Sequence, residues 1–274
     1  MRSLDETFTS FAEAAERKAR AMRANPLGST IAAAFAGAYV GAGILLIFSV
    51  GEPLDPNFRP LVTGASFGIA STLVVFAGSE LFTGHTLSMT VGRLEGRIDS
   101  ATLFPAWVWT WLGNLAGALV LAALFVAGGS RILAPTASLL REVALYKAES
   151  SAVALSARGI LCNWLVCLAL WTAERTTADA ARCILIFWCL FTFIACGFEH
   201  SIANMTIFAT VYLSGVGPTL GLAAIFHNLL RVSLGNAIVG AFVPAFGYTV
   251  VIRPNPRDLT AAREAVRSAG VTPT

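Results

Sequence analysis

Gly78-Ser79-Glu80-Leu81-Phe82-Thr83-Gly84-His85-Thr86 and Gly197-Phe198-Glu199-His200-Ser201-Ile202-Ala203-Asn204-Met205 are two polar interruptions in otherwise apolar runs. Setting Gly78 against Gly197 also sets Glu80 against Glu199 and the polar His85 against Asn204. The segments that follow echo each other too: Leu112-Gly113-Asn114-Leu115-Ala116-Gly117-Ala118 against Leu234-Gly235-Asn236-Ala237-Ile238-Val239-Gly240-Ala241. The chain therefore reads as two halves of three apolar spans each. Three is odd, so the second half must enter the membrane upside down relative to the first. Interrupted spans at corresponding positions of inverted halves point to a site near the bilayer midplane. Irregular backbone is tolerated at that depth only where protein or a water-filled cavity surrounds it.

Composition agrees with a membrane protein. Of 274 residues, 56% are apolar and only 13% are Asp, Glu, Lys or Arg, with a mean hydropathy of +0.70. Soluble domains average about 25% charged residues. That excludes a cytosolic enzyme, a disordered chain and a secreted disulfide scaffold. A net charge of +3, with basic residues at chain ends and turns, offers no nucleic-acid surface. Cys162, Cys167, Cys183, Cys189 and Cys196 all fall in apolar stretches, without metal-type spacing, and read as small apolar thiols.

A helix crossing about 30 Å of hydrocarbon needs roughly 20 residues. Six segments meet that length, at about 27–50, 61–91, 103–128, 153–173, 183–212 and 219–251. The expected architecture is an all-α integral membrane protein of six transmembrane helices, with spans two and five broken. The channel domain covers 27–251, its repeats about 27–128 and 153–251. Turn chemistry separates the spans, as in Glu52-Pro53-Leu54-Asp55-Pro56 and Gly215-Val216-Gly217-Pro218. The first apolar run, Leu27 to Val50, is longer than a signal-peptide core and follows a charged segment, so it reads as a span.

Residues 1–26 carry Leu4, Phe8, Phe11 and Ala15 at helical spacing, which predicts an amphipathic helix on the membrane or on a neighbouring subunit. Residues 252–274 open on Arg253-Pro254-Asn255-Pro256 and read as a short helix with a frayed end. Basic residues crowd the two tails and loops 2–3 and 4–5. The other three loops hold only Arg59, Arg131, Arg141 and Lys147. The positive-inside rule then places both termini in the cytoplasm.

Glu80, Glu199 and His200 sit at the breaks. An ionisable group at the centre of a bilayer costs at least about 2.5–3.5 kcal/mol, so it usually faces a pathway and has a partner. The glutamates admit two compatible readings: they cap the half-helices by accepting backbone N–H bonds, or they line a path.

These residues resemble the formate–nitrite transporter family. The resemblance rests on Glu80-Leu81-Phe82-Thr83-Gly84, on Arg158-Gly159-Ile160-Leu161-Cys162-Asn163-Trp164-Leu165-Val166-Cys167, and above all on Gly197 through Met205. It runs from about residue 25 to residue 250. Ile186-Phe187-Trp188-Cys189, Thr206, His227-Asn228-Leu229-Leu230 and Gly84-His85-Thr86 are closest to the nitrite channel branch.

The resemblance implies an aquaporin-like fold in the bacterial inner membrane, a homopentamer with one pore per protomer, no cofactor, and passage of nitrite or a similar small anion with a proton. It places the pore histidine on His200, preceded by Glu199. It places the loop threonine on Thr83, the vestibule lysine on Lys147 and the span-four asparagine on Asn163. Leu81 and Phe82 match an inner constriction, and Phe67 and Phe193 an outer one.

Physical chemistry supports those roles. Two apolar rings strip water from an anion, and a bare charge between them is expensive in a low dielectric. Lys147 can draw the anion in, while Thr83 and His200 can hold its oxygens. His200 either transfers a proton or only polarises the anion; the sequence leaves both readings open. Asn163 and Glu199 are expected to hydrogen-bond each other, holding the fifth span in register. Arg231 lies where the family carries an apolar residue or proline. His85 reads as a structural histidine or, alternatively, as a spare titratable group near the inner mouth, and His227 reads as structural. A neutral-solute channel is disfavoured because Asn-Pro-Ala repeats are absent and a Glu-His pair occupies the break. A membrane-embedded acid–base enzyme lacks a nucleophile with its own base. Formate or hydrosulfide selectivity is the alternative within the family.

Overall fold

A computed structural model describes residues 1–215, 220–242 and 247–252. The expected turn through Val216-Gly217-Pro218 and the tail from Arg253 onward lie outside the described residues. All regular structure among the described residues is helical. The first half comprises α2 (Pro26–Gly51), α3 (Arg59–Ser66), α4 (Ile69–Phe76), α5 (Phe82–Leu94) and α6 (Ser100–Gly128). The second comprises α8 (Ala152–Glu174), α9 (Asp179–Ala195), α10 (Ser201–Ser214) and α11 (Leu222–Gly240). α1 (Leu4–Ala24) precedes them, α7 (Leu139–Glu149) joins the halves, and α12 (Gly247–Ile252) follows.

Stretches 26–51, 59–76, 100–128, 152–174 and 222–240 are each long and apolar enough to cross a membrane. The remaining span, fifth in chain order, is the broken pair α9–α10. Both breaks fall where the repeat puts them, and each turns at a glycine with positive φ: Gly78 at 71° and Gly197 at 68°. That region is nearly closed to side chains with a Cβ. Span two is interrupted once more, at Phe67-Gly68, which the sequence reading did not anticipate.

What the breaks leave unpaired, the next helix satisfies. Asn114 on α6 accepts from the Phe82 N–H (2.9 Å) and donates to the carbonyls of Ala33 (2.8 Å) and Glu80 (2.9 Å). Asn236 on α11 repeats the arrangement: it accepts from Ser201 N–H (3.0 Å) and donates to Gly159 (2.8 Å) and Glu199 (3.1 Å) carbonyls. The Glu80 N–H donates to Ala32 and the Glu199 N–H to Arg158. Neither glutamate side chain therefore caps its half-helix. Gly113 and Gly235, each just before its asparagine, lie against the Ala33 Cβ and the Ser156 carbonyl respectively, where a side chain would collide. The close crossing brings each asparagine within reach of the break.

α1 begins in a capping box, with Ser3 accepting from the Glu6 N–H and Glu6 from the Ser3 N–H. Its apolar face packs on this chain itself. Phe8 and Ala12 meet Leu87, Val91 and Trp171, and Ala15 and Ala19 meet Met89, Leu103 and Ala106. Arg2 and Ser10 tie its start to Glu174 at the end of α8. The expectation of a helix laid on lipid or on a neighbour is thus replaced by an internal docking site.

Asn114→Ala leaves the buried Phe82 N–H and the Glu80 carbonyl without their partner. We expect about 1–3 kcal/mol of destabilisation per orphaned group, read as a lowered thermal unfolding midpoint in detergent. An unchanged midpoint contradicts the bracing role.

Candidate functional site

α5 and α10 are half-helices of 13 and 14 residues whose N-termini approach each other inside the protein. Thr83 stands in the first turn of α5, and His200 is the N-cap of α10. The Thr83 Oγ1 and His200 Nε2 are 3.3 Å apart, and both residues are buried. The tautomer of the ring follows from its other nitrogen. Nδ1 accepts from the Ala203 backbone N–H (3.2 Å), so a neutral imidazole carries its proton on Nε2, toward Thr83. With Nε2–H as donor, the threonine hydroxyl accepts and keeps its own hydrogen to offer. The positive ends of two helix dipoles converge on the same point. The place suits an anion.

Two cavities lie on either side of this pair. On the α7 side, a cavity of about 290 Å³ is lined by Phe48, Lys147, Phe193, Phe198, His200 and Asn204, among others. On the α1 side, one of about 310 Å³ is lined by Phe11, Lys18, Glu80, Leu81, Gly84 and Leu170, among others. Between them the wall is apolar. Phe67 meets Phe193 edge-on (5.5 Å between centroids), and Phe193 stacks on the His200 ring (5.9 Å). Leu81 is buried at the bottom of the α1-side cavity. Phe82, its expected partner in a constriction, borders an apolar groove between α6 and α11 instead.

Each cavity has an ion cluster at its break, and the two match in position. On the α7 side, the Lys147 ammonium (2.8 Å) and the Asn204 amide (2.6 Å) both donate to Glu199 Oε2, with Arg158 at 3.9 Å from Oε1. Asn228 accepts from Asn204 (2.8 Å) and donates to the Lys147 carbonyl (2.9 Å), fixing α7 over the cavity. On the α1 side, Lys18 pairs with Glu80, and His85 Nε2 lies 2.6 Å from the same carboxylate oxygen. The residue five positions after each glutamate contacts that glutamate in both halves.

The expected Asn163–Glu199 hydrogen bond does not form. Asn163 donates to Thr86 Oγ1 (3.0 Å) and to the Asn236 carbonyl (2.6 Å), tying α8 to α5 and α11. Its side chain holds helices together rather than lining either cavity. Sequence reading also passed over Lys18, Arg158 and Asn228. For Lys18 a signal existed: it falls between Ala15 and Ala19, on the apolar stripe of α1, where an unpaired lysine would be costly. Arg231 is exposed on α11, and His227 is half-buried there.

Comparison with known proteins agrees with this geometry. The formate/nitrite transporter family model matches residues 5–250. The nitrite transporter NirC of Escherichia coli (strain K12) is 50% identical over 243 residues, covering 89% of this chain and 90% of that protein. A solved structure described as an FNT family ion channel superposes with a TM-score of 0.87 at 48% identity, covering 91% of this chain and all of that one. A pentameric formate channel with formate bound shares the fold, with a TM-score of 0.70 at 24% identity, over 85% of this chain and all of that one.

Glu199 is the single carboxylate between Lys147 and Arg158. Glu199→Ala leaves the half-buried Lys147 and Arg158 without their shared carboxylate. Breaking a fully buried pair costs about 3–5 kcal/mol, which sets the upper limit here. We expect a strongly lowered unfolding midpoint, partly recovered when Lys147→Met is added. Equal midpoints for the native chain and Glu199→Ala contradict this account.

Proposed function

The chain belongs to the formate/nitrite transporter family, and we propose that it conducts nitrite together with a proton through the Thr83–His200 site. The observation that carries this reading is the meeting of Thr83 and a donor Nε2–H of His200 at two converging helix N-termini, with a lysine-bearing cavity on either side. Members of the family are channels and transporters rather than enzymes, and this chain is a multi-pass membrane protein of that kind.

Lys147 draws the anion into the α7-side cavity, its charge being only partly neutralised by Glu199 because Arg158 is also nearby. Moving inward, the anion loses water against Phe193 and Phe67. Desolvation disfavours the charged form and raises the proton affinity of a weak acid, so the species crossing the apolar wall is the neutral acid. Between the walls, His200 Nε2–H and the Thr83 hydroxyl donate to its oxygens, and the helix dipoles favour whatever negative charge reappears.

Of the two roles considered for His200, the geometry supports polarisation. Protonating Nδ1 would displace the Ala203 N–H bond and place a cation at two positive helix ends. The proton then travels with the anion from vestibule water. We place the α1 side in the cytoplasm on the distribution of basic residues, in the inner membrane of a bacterium, with the protein working as a pentamer in which each protomer has its own path.

Uptake of nitrite, formate and hydrosulfide into proteoliposomes tests the reading. Nitrite is expected to lead. His200→Asn keeps a helix-capping side chain but is too short to reach Thr83. It should slow nitrite severalfold, up to about tenfold, since a hydrogen bond between neutral groups contributes about 0.5–1.5 kcal/mol. Unaltered flux in that variant would remove His200 from the path.

A further inference from the structure

The repeat is broken at one chemically meaningful position. The partner of Glu199 is Asn204, which does not titrate; the partner of Glu80 is His85, which can. His85 is 2% exposed, yet it belongs to a cluster open to water: Lys18 and Glu80 both line the α1-side cavity. A further cavity of about 20 Å³, lined by Lys18, Ser29, Glu80, His85, Trp109 and Thr110, has room for about one water beside the ring.

The hydrogen bonds around this ring differ from those around His200. His85 Nε2 faces the Glu80 carboxylate at 2.6 Å and the Lys18 ammonium at 3.4 Å. Nδ1 faces the Thr110 hydroxyl at 3.1 Å, and that hydroxyl is also 2.8 Å from the Ala106 carbonyl. A hydroxyl rotates and both gives and accepts. When the ring is neutral, Nε2–H donates to Glu80 and Nδ1 accepts from the Thr110 hydroxyl. When the ring is charged, Nδ1–H donates to Thr110 Oγ1, and the hydroxyl hydrogen turns to the Ala106 carbonyl. The ring keeps both of its bonds in either state. His200 has no such freedom, because its Nδ1 is held by a backbone N–H that cannot turn.

The groups around the ring from each neighbouring element can be named. α1 brings Lys18, the break brings Glu80, and α2 brings Ser29. α6 brings Thr110, and Trp107 donates to the His85 carbonyl. From α8, Cys167 sits with Leu87 in the apolar cluster, and from α11, Gly240 lies on Thr86. Burial and the Lys18 ammonium oppose a charge on the ring, and the Glu80 carboxylate favours it.

We propose that His85, with Glu80, Lys18 and Thr110, is the exchangeable proton-binding site of the channel, set at its α1-side mouth. This rests on the proton-linked reading above and says where the protein itself holds a proton. With the ring neutral, Lys18 and Glu80 cancel. With it protonated, the mouth carries one net positive charge, as Lys147, Arg158 and Glu199 together do on the other side. Acid on the α1 side therefore makes that mouth more attractive to an anion, whereas on the α7 side the residue in the matching position, Asn204, does not titrate. The proton that comes and goes is the one on Nδ1. It leaves its electron pair on that nitrogen and passes to vestibule water, while Nε2–H stays on Glu80. The entering anion takes its own proton from that water.

The chain has only three histidines, so ¹⁵N-histidine labelling reads each ring directly in the native protein, with His85→Asn identifying its signal. The expected result is that His85 exchanges its Nδ1 proton within about pH 5–8 while His200 stays a neutral Nε2–H tautomer throughout. Glu80→Gln should move the His85 midpoint to lower pH, because the neighbouring anion that favours the charged ring is gone. A His85 ring that keeps one protonation state across that range overturns the proposal. So does a His200 ring that titrates while His85 does not. In vesicles of known orientation, His85→Asn should flatten the dependence of nitrite entry on α1-side pH, relative to the native chain. An unaltered dependence also overturns the proposal. Because the NMR readout needs no transport, a titrating His85 in a chain that carries no nitrite would defeat the transport reading alone.

Discussion

The structure depends on two asparagines. A helix broken at membrane depth leaves backbone donors and acceptors with no water to meet them, and each unsatisfied group is expensive. Asn114 and Asn236 each satisfy one N–H and two carbonyls at a break, from helices brought close by an adjoining glycine. Without that bracing, the chain would have to heal the breaks into continuous helices. The two N-termini that meet at Thr83 and His200 would then vanish. Bracing precedes the site, and the site precedes the path.

Once the half-helices are fixed, their dipoles give a region of positive potential that contains no formal charge of its own. Formal charges lie farther out, in the Lys147–Glu199 and Lys18–Glu80 clusters, where cavities admit water. This separation suits permeation. Lysine at the centre would hold an anion too tightly to release it, whereas a neutral imidazole and a hydroxyl bind weakly enough for the next step. The two mouths share a lysine–glutamate plan, but His85 stands where Asn204 does and Arg158 adds a cation on the α7 side alone. The halves are therefore alike in fold and unlike in response to protons.

Much of this was legible in the sequence. The Gly-Xaa-Glu breaks, the Gly-Asn pairs of α6 and α11 and the lengths of the runs locate the helical spans, their two breaks and the place of His200 at one of them. What escaped has a common cause: it depends on which side chains meet across helices far apart in sequence. Asn163 reads as a partner for Glu199 by proximity of motifs, yet Thr86 and the Asn236 carbonyl lie nearer its amide. Lys18 looks like one more charge on a surface helix until α1 docks on α5. Phe82 follows Leu81 in chain, but Leu81 is the extended N-cap of α5 and Phe82 its first helical residue, and the two side chains border different cavities. The asparagine bracing left a visible trace, as a repeated Gly-Asn, though only coordinates reveal what the amides hold.

The central claim is that the anion crosses the apolar wall as a neutral acid past a histidine that stays neutral. Its most direct test is the simultaneous measurement of nitrite entry and lumenal pH in proteoliposomes, with the membrane potential clamped at several values. The account predicts one proton moving with each nitrite and a rate insensitive to potential. Nitrite entry as a potential-driven current, with no accompanying proton, would contradict it.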